Sequence, residues 1–334
     1  MSTICVIPAA GMGSRMRPLS YTLPKAMLPV AGKPAIYHII DKIGATGIKN
    51  FVIVTGYLRL LMEQEILDHY KKSDYHIRFV QQETPQGLAE AVALAEDEVE
   101  NRSLLIVLGD TLVEGNFSNI FSLKNPSIGV IETTTPEKYG IVKLNNDKET
   151  IDFLVEKPAD TVGNLAIPGI YYFPDPAHLF KAIHHIMNND IKTKGEYQLT
   201  DALNVVLHNF KQTISVFYLS DWYDTGSIQE MLTTNRKILD NNGSTVLSDL
   251  NNCTIIDPVY IERGAQIKNS TIGPWASIGN AVTIEDSTIK NTIIDNNSRI
   301  SNATLIDSII GRKCDIRNIT GSTILGDDSV IHYS

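Results

Sequence analysis

Cysteine is scarce. Cys5, Cys253 and Cys314 are the only three in 334 residues, too few and too scattered for a disulfide framework or a zinc site, so a reducing, cytoplasmic setting is expected. Lysine- and arginine-rich runs are absent and the formal charge is −9. A nucleic-acid backbone is neutralised by clustered positive charge, so no nucleic-acid partner is expected, and any phosphate must be met locally with help from a metal. Long apolar runs are missing too. Ile4 to Ala10 is short and has no basic leader, and nothing approaches the roughly 18–20 apolar residues of a membrane span, so no membrane partner is expected. The eight histidines form no motif that would activate a serine or cysteine nucleophile, which argues against hydrolases of that kind.

A hydrophobic content of 43% over this length is ample for two cores. Up to residue 240 strand-like and helix-like segments alternate, the pattern of a mostly parallel sheet with helices on both faces. Strands are expected at Thr3–Pro8, Phe51–Thr55, Ile77–Val80, Leu104–Leu108 and Ile128–Thr133, with helices at Ala35–Ile43, Leu58–Tyr70 and Leu88–Val99 from their apolar spacing. In such a sheet ligands gather beyond the carboxyl ends of the strands.

After Asn241-Asn242-Gly243 the helix formers vanish, which divides the chain into a first domain at 1–240, a linker at 241–249 and a second domain at 250–334. Aliphatic residues there recur in three interleaved rows: Ile255, Ile272, Ile289, Leu305; then Ile261, Ile278, Ile294, Ile310; then Ile267, Ile284, Ile300, Ile316. Each row has a period of 16 or 17 residues, which describes a three-sided coil whose stacked copies bury continuous ladders. An antiparallel sandwich would alternate between hairpin turns without that period. The pattern resembles hexapeptide-repeat left-handed parallel β-helices.

Pro8-Ala9-Ala10-Gly11-Met12-Gly13-Ser14-Arg15 closes the first strand, and Leu23-Pro24-Lys25-Ala26-Met27-Leu28-Pro29 follows. Glycines 11 and 13 let the backbone turn its amides toward phosphate oxygens, with Arg15 and Lys25 as mobile cations; a purely structural turn is the alternative. Gly-x-Gly-x-Arg-x-x-Pro, the Pro-Lys pair and Leu-Pro-Val-x-x-Lys-Pro resemble the signature of sugar nucleotidylyltransferases, in particular the glucose-1-phosphate thymidylyltransferase-like branch. The resemblance implies a Rossmann-like α/β nucleotidyltransferase domain ahead of the β-helix. It also implies that Ala10, Gly11, Met12 and Gly13 wrap a nucleoside triphosphate, and that Arg15 and Lys25 stabilise the α-phosphate under attack.

Further motifs extend the likeness through residue 240. Gln82-Glu83-Thr84-Pro85-Gln86-Gly87 matches the base-reading loop: the Gln82 amide offers a donor and an acceptor to the imide edge of thymine or uracil, and Gly87 lets a main-chain amide approach. Asp110, after the run Leu104–Leu108, and Asp224, in Trp222-Tyr223-Asp224-Thr225-Gly226, match the family's ligands for Mg2+, a hard cation that takes one or two carboxylates plus phosphates; a helix N-cap or turn role is the alternative for both, especially for Asp224. The counterparts of Gly140, Glu156, Lys157 and Ile167 line the sugar-phosphate pocket. Lys194 stands where arginine is frequent.

The resemblance implies Mg2+-dependent nucleotidylyl transfer from a nucleoside triphosphate, dTTP or UTP favoured, to a sugar-1-phosphate, glucose-1-phosphate favoured, releasing pyrophosphate. Two other functions stay in view. One is a regulatory subunit that binds nucleotide sugar without turnover, against which the retention of Arg15, Lys25, Asp110 and Asp224 counts. The other is a bifunctional enzyme whose β-helix transfers acetyl groups, against which counts a coil region with one histidine, His332. A homo-oligomer assembled through the β-helix is expected, because an open β-helix end must be covered.

Overall fold

The computed structural model describes residues 3–115, 119–160 and 162–333; Met1, Ser2 and Ser334, the outer ends of the two expected domains, lie outside them. The chain divides into two compact units, Met1–Gly11 with Ile39–Trp222, and Met12–His38 with Tyr223–Ser334.

The first unit is a Rossmann-like α/β layer built on a ten-stranded sheet. In its parallel half Ser103–Val107, Thr3–Pro8, Asn50–Thr55 and His76–Gln81 lie side by side. Cys5 to Ile7, Phe51 to Val54 and Leu104 to Val107 are wholly buried, which is why these strands read as unbroken apolar runs rather than alternations. Burial also pushes the Cys5 thiol pKa far up, so it behaves as a small apolar core group. The other half is largely antiparallel. Ile170–Phe173 pairs with both Ser103–Val107 and Ser127–Glu132, and Leu165–Ala166 carries the sheet to Gly140–Leu144 and Ile151–Glu156. Thr3–Pro8 falls where the sequence places it, and the other four expected strands agree to within a residue or so at either end.

The helix expected over 88–99 is broken into Leu88–Ala93 and Glu96–Val99. At Ala95 the amide bonds to Val92 O, three residues back rather than four. Glu96, Asp97 and Glu98 then crowd one turn, where carboxylates favour a fresh helix N-terminus over a helix interior.

In the second unit residues 12–34 are irregular: three short 3-10 turns at Ser14–Met16, Leu19–Tyr21 and Lys25–Met27, then a small hairpin of Pro29–Val30 with Lys33–Pro34. The helix Ile228–Asn242 starts at Ser227, whose hydroxyl accepts from Glu230 N, and stops at Gly243, where φ is 73°; serine and glycine are the residues such ends favour. A left-handed parallel β-helix follows. All three aliphatic rows are ladders in register, Ile255 on Ile272 on Ile289 on Leu305, and likewise from Ile261 and Ile267. Ile272, Ile278, Ile284, Ile289, Leu305, Ile310 and Ile316 are completely enclosed. The abundance of Asn and Asp has a local cause. Asn252, Asn269, Asp286, Asn302 and Asn318 each hold one corner at φ between 48° and 58°, a left-handed conformation that their short polar side chains tolerate. Asn252 Nδ2 also donates to Asn269 Oδ1 (2.9 Å), and Asn269 Nδ2 to Asp286 Oδ1 (3.1 Å). Among the described residues no helix is long and apolar enough to cross a membrane.

Candidate functional site

In the first unit the Thr3–Pro8 strand delivers Ala9, Ala10 and Gly11 at its carboxyl end. Two glycines outside the motif make room. A Cβ at Gly109 would lie 2.8 Å from Ala9 Cβ and 2.9 Å from Pro8 O, and one at Gly56 would lie 2.7 Å from Ala10 O. Neither stood out in the sequence, because only the neighbouring strands give their missing side chains a meaning. Asp110 follows the Ser103–Val107 strand, and its Oδ1 accepts from Thr111 Oγ1 (3.3 Å).

Gln82 and Gly87 come together. Gln82 is only 5% exposed, its amide nitrogen donates to the Glu90 carboxylate, and Gly87 O lies 3.5 Å from the same nitrogen. A carboxylate only accepts, so Glu90 determines which end of the Gln82 amide is nitrogen, and Oε1 is the end turned to other partners. Glu90 was not singled out from the sequence, although it stands one helical turn into the helix that Gly87 opens. Gly87 itself, at φ 129° and ψ 175°, is pressed against the Tyr197 backbone: a Cβ there would be 2.5 Å from Tyr197 O.

The four residues expected at the sugar phosphate also converge. Gly140 pairs with Glu156 across two antiparallel strands, Ile167 N donates to Gly140 O (2.9 Å), and a Cβ on Gly140 would sit 3.1 Å from Glu156 Oε2 and 3.4 Å from Ile167 Cδ1. Glu156 Oε2 accepts from Thr200 Oγ1 (3.4 Å), and Oε1 is 3.3 Å from Lys157 Nζ. Lys157 sits at φ 45°, with its carbonyl accepting from Lys194 Nζ (2.9 Å). Tyr171 is buried nearby, and burial, then the Glu156 charge, push its phenol pKa far up. Thr200 is the addition here. Next to it, burial raises the Asp201 pKa, and its Oδ2 makes no hydrogen bond among the described residues.

In the second unit lie Met12, Gly13, Arg15, Lys25 and Asp224. Gly13 takes φ 61°, and a Cβ there would be 2.8 Å from Lys25 Cβ, so this glycine serves both the turn and the approach of Lys25. Ser20 Oγ closes the loop by donating to Gly13 O (2.8 Å). Arg15 is exposed and Lys25 half-buried. Asp224 Oδ1 accepts from Gly226 N (2.6 Å).

Among the described residues no group of three or more His, Cys, Asp or Glu side chains gathers as a metal cage. The donors nonetheless suit Mg2+, whose usual sites use one or two protein carboxylates and leave the remaining positions to phosphate and water. Glu230 adds a signal that the sequence reading missed. Its Oε2 is buried without a hydrogen bond among the described residues, and a Cβ at Gly226 would lie 3.1 Å from it and 2.8 Å from Asp224 Oδ1.

Two family models cover the chain, one described as nucleotidyl transferase over residues 4–241 and one described as GMPPB C-terminal domain over residues 255–334. Glucose-1-phosphate thymidylyltransferase of Streptomyces griseus is 26% identical, over 97% of this chain and 98% of that protein. The bifunctional protein GlmU of Methanocaldococcus jannaschii is 30% identical, over 92% of this chain and 78% of that one. Among solved structures, a UDP-glucose pyrophosphorylase complexed with UDP-glucose has a TM-score of 0.61 at 25% identity, covering 72% of this chain and 100% of that one.

Proposed function

We propose, for a chain that belongs to the nucleotidyl transferase family, that it joins dTTP or UTP to a sugar-1-phosphate, with glucose-1-phosphate as the preferred acceptor, and releases pyrophosphate. The observation that favours these bases over adenine and cytosine is the oriented Gln82 amide. With its nitrogen engaged by Glu90, its oxygen is the end that accepts from an imide N–H, which thymine and uracil have at N3 and which adenine and cytosine lack there.

The nucleophile is a sugar-phosphate oxygen that is already ionised, so the reaction needs no general base. It attacks the α-phosphorus in line and pyrophosphate leaves, which makes catalysis a matter of positioning and charge. In this reading the amides of Ala10 to Gly13 wrap the triphosphate, and Arg15 and Lys25 meet the charge that builds on the α-phosphoryl oxygens. Glu156, held by Thr200 and Lys157, accepts from sugar hydroxyls, Lys157 approaches the sugar phosphate, and Gly140 with Ile167 forms the wall. Asp110 and Asp224 would hold Mg2+, which when bound neutralises triphosphate charge. The β-helix assembles subunits into a homo-oligomer.

A panel of nucleoside triphosphates against sugar-1-phosphates, read by pyrophosphate release, tests the proposal. Turnover with dTTP or UTP and glucose-1-phosphate is the expected result; turnover with a purine triphosphate alone would refute the base assignment.

A further inference from the structure

The segment that carries Lys25 has little regular structure of its own, yet it is held at both ends by residues more than 200 positions away. At its far end Pro29–Val30 and Lys33–Pro34 pair across a two-residue turn. Both turn residues, Ala31 and Gly32, take positive φ, 45° and 92°, as a type I′ turn demands. For alanine that conformation costs roughly 1–2 kcal/mol, so something outside must hold it.

Asn235 does. This wholly buried side chain on the helix Ile228–Asn242 accepts from Ala31 N (2.9 Å) and from Ser277 Oγ (2.7 Å), and donates to Trp275 O (3.0 Å). One amide thereby joins hairpin, helix and coil with its oxygen doubly engaged. A Cβ at Gly32 would lie 2.3 Å from the Tyr260 ring, so the turn is seated on the coil surface. At the near end Thr22 Oγ1 donates to Asp327 Oδ2 (2.8 Å), while Asp327 Oδ1 accepts from Arg312 N (2.8 Å). Gly326 backs against Pro18, whose carbonyl oxygen would be 3.1 Å from a Cβ there. Between the two ends Leu19, Leu23 and Leu28 line one small cavity with Met231, Ile309 and Ile310.

We propose that the β-helix positions the reactive lysine: its coils clamp residues 18–33 at Asp327 and, through Asn235, at Ala31, and thereby set where Lys25 meets the α-phosphate. Asn235 is a positioning residue and touches no substrate. The proposal rests on the reading of Lys25 given above. Because a misplacement of about 1 Å at a reacting group can cost on the order of 10²-fold in rate, an irregular segment bearing such a group needs a rigid support.

The test uses the full-length protein with dTTP, glucose-1-phosphate and Mg2+, and compares Asn235→Ala with Ile284→Val, a coil-core change that lowers stability without touching the clamp. Asn235→Ala should lower kcat about tenfold to a hundredfold with both KM values within about threefold of wild type, while Ile284→Val leaves kcat unchanged. Amide exchange over residues 18–33 should quicken by about tenfold or more in Asn235→Ala only. Unchanged kcat, a loss confined to KM, an equal loss in Ile284→Val or unchanged exchange would each overturn the proposal. If Asn235→Ala does not fold, Asp327→Ala, at the other end of the clamp, is held to the same criteria. A wild-type protein inactive on every substrate pair would refute the function proposed above, and the role given to Lys25 with it; the exchange data would still decide whether the coils clamp the segment.

Discussion

Replacing Gly87 by alanine isolates the contact that closes the loop proposed to read the base. Its φ of 129° and ψ of 175° lie in a region that is essentially glycine's alone, and a residue with a side chain pays about 1–3 kcal/mol to stay there. The added Cβ would also meet Tyr197 O at 2.5 Å and Tyr197 N at 2.7 Å. Backing away strains two hydrogen bonds, Ala89 N to Tyr197 O (3.0 Å) and Tyr197 N to Gln86 O (2.8 Å), each contributing about 1 kcal/mol. Together these come to about 3–5 kcal/mol, which at this chain length lowers Tm by about 10 °C. Gly195→Ala is the control: its φ is 83° and nothing lies within 4 Å of the added Cβ, so it should cost about 1 kcal/mol and about 2–4 °C. Thermal unfolding of both variants by circular dichroism checks the comparison. In the Gly87 variant KM for the triphosphate should rise as well, since Gln82 and Gly87 share a hydrogen-bonded turn. Equal Tm losses in the two variants would refute the reasoning.

Arg15→Ala should lower kcat by about 10² to 10³, or about 2.7–4 kcal/mol, in a steady-state pyrophosphate assay, if, as proposed, its charge meets the negative charge that builds on the α-phosphoryl group. Asp110→Asn and Asp224→Asn should abolish Mg2+-dependent turnover with Tm little changed, and excess EDTA should silence the wild type reversibly; near-normal activity in either variant removes that carboxylate from the metal site. Glu90→Gln frees the Gln82 amide to flip, so the preference for dTTP over dCTP, as a ratio of kcat/KM, should narrow by about tenfold or more. Asp201 has a folded-state pKa raised by burial, so its ionised form weakens the fold at neutral pH and this loss is relieved as pH falls through the raised value. Asp201→Asn should therefore match or exceed the wild-type Tm at pH 7.5 and lose that advantage on acidification; a variant that is less stable at pH 7.5 and equal at low pH would reverse the sign.

Local pattern alone determined much of this protein. The period of 16 or 17 residues dictated which isoleucines stack on which, because only a coil of that length returns an aliphatic residue to the same face, and the ladders follow the three rows in register. The buried strands were legible because a strand covered on both faces must be apolar throughout. The loop glycines, Gln82 and the Gly140, Glu156, Lys157 and Ile167 set stood out as ordered motifs, and the last four lie together in space. What the sequence could not carry is partnership across distance. Glu90 orients Gln82 from a helix eight residues on, Thr200 reaches Glu156 over 44 residues, and Asn235 bonds to Ala31 across 204 and to Ser277 across 42. Glu90, Thr200 and Asn235 look like ordinary helix residues in the chain. Only tertiary packing, by removing them from water and obliging each buried polar atom to find a partner, decided what they hold in place.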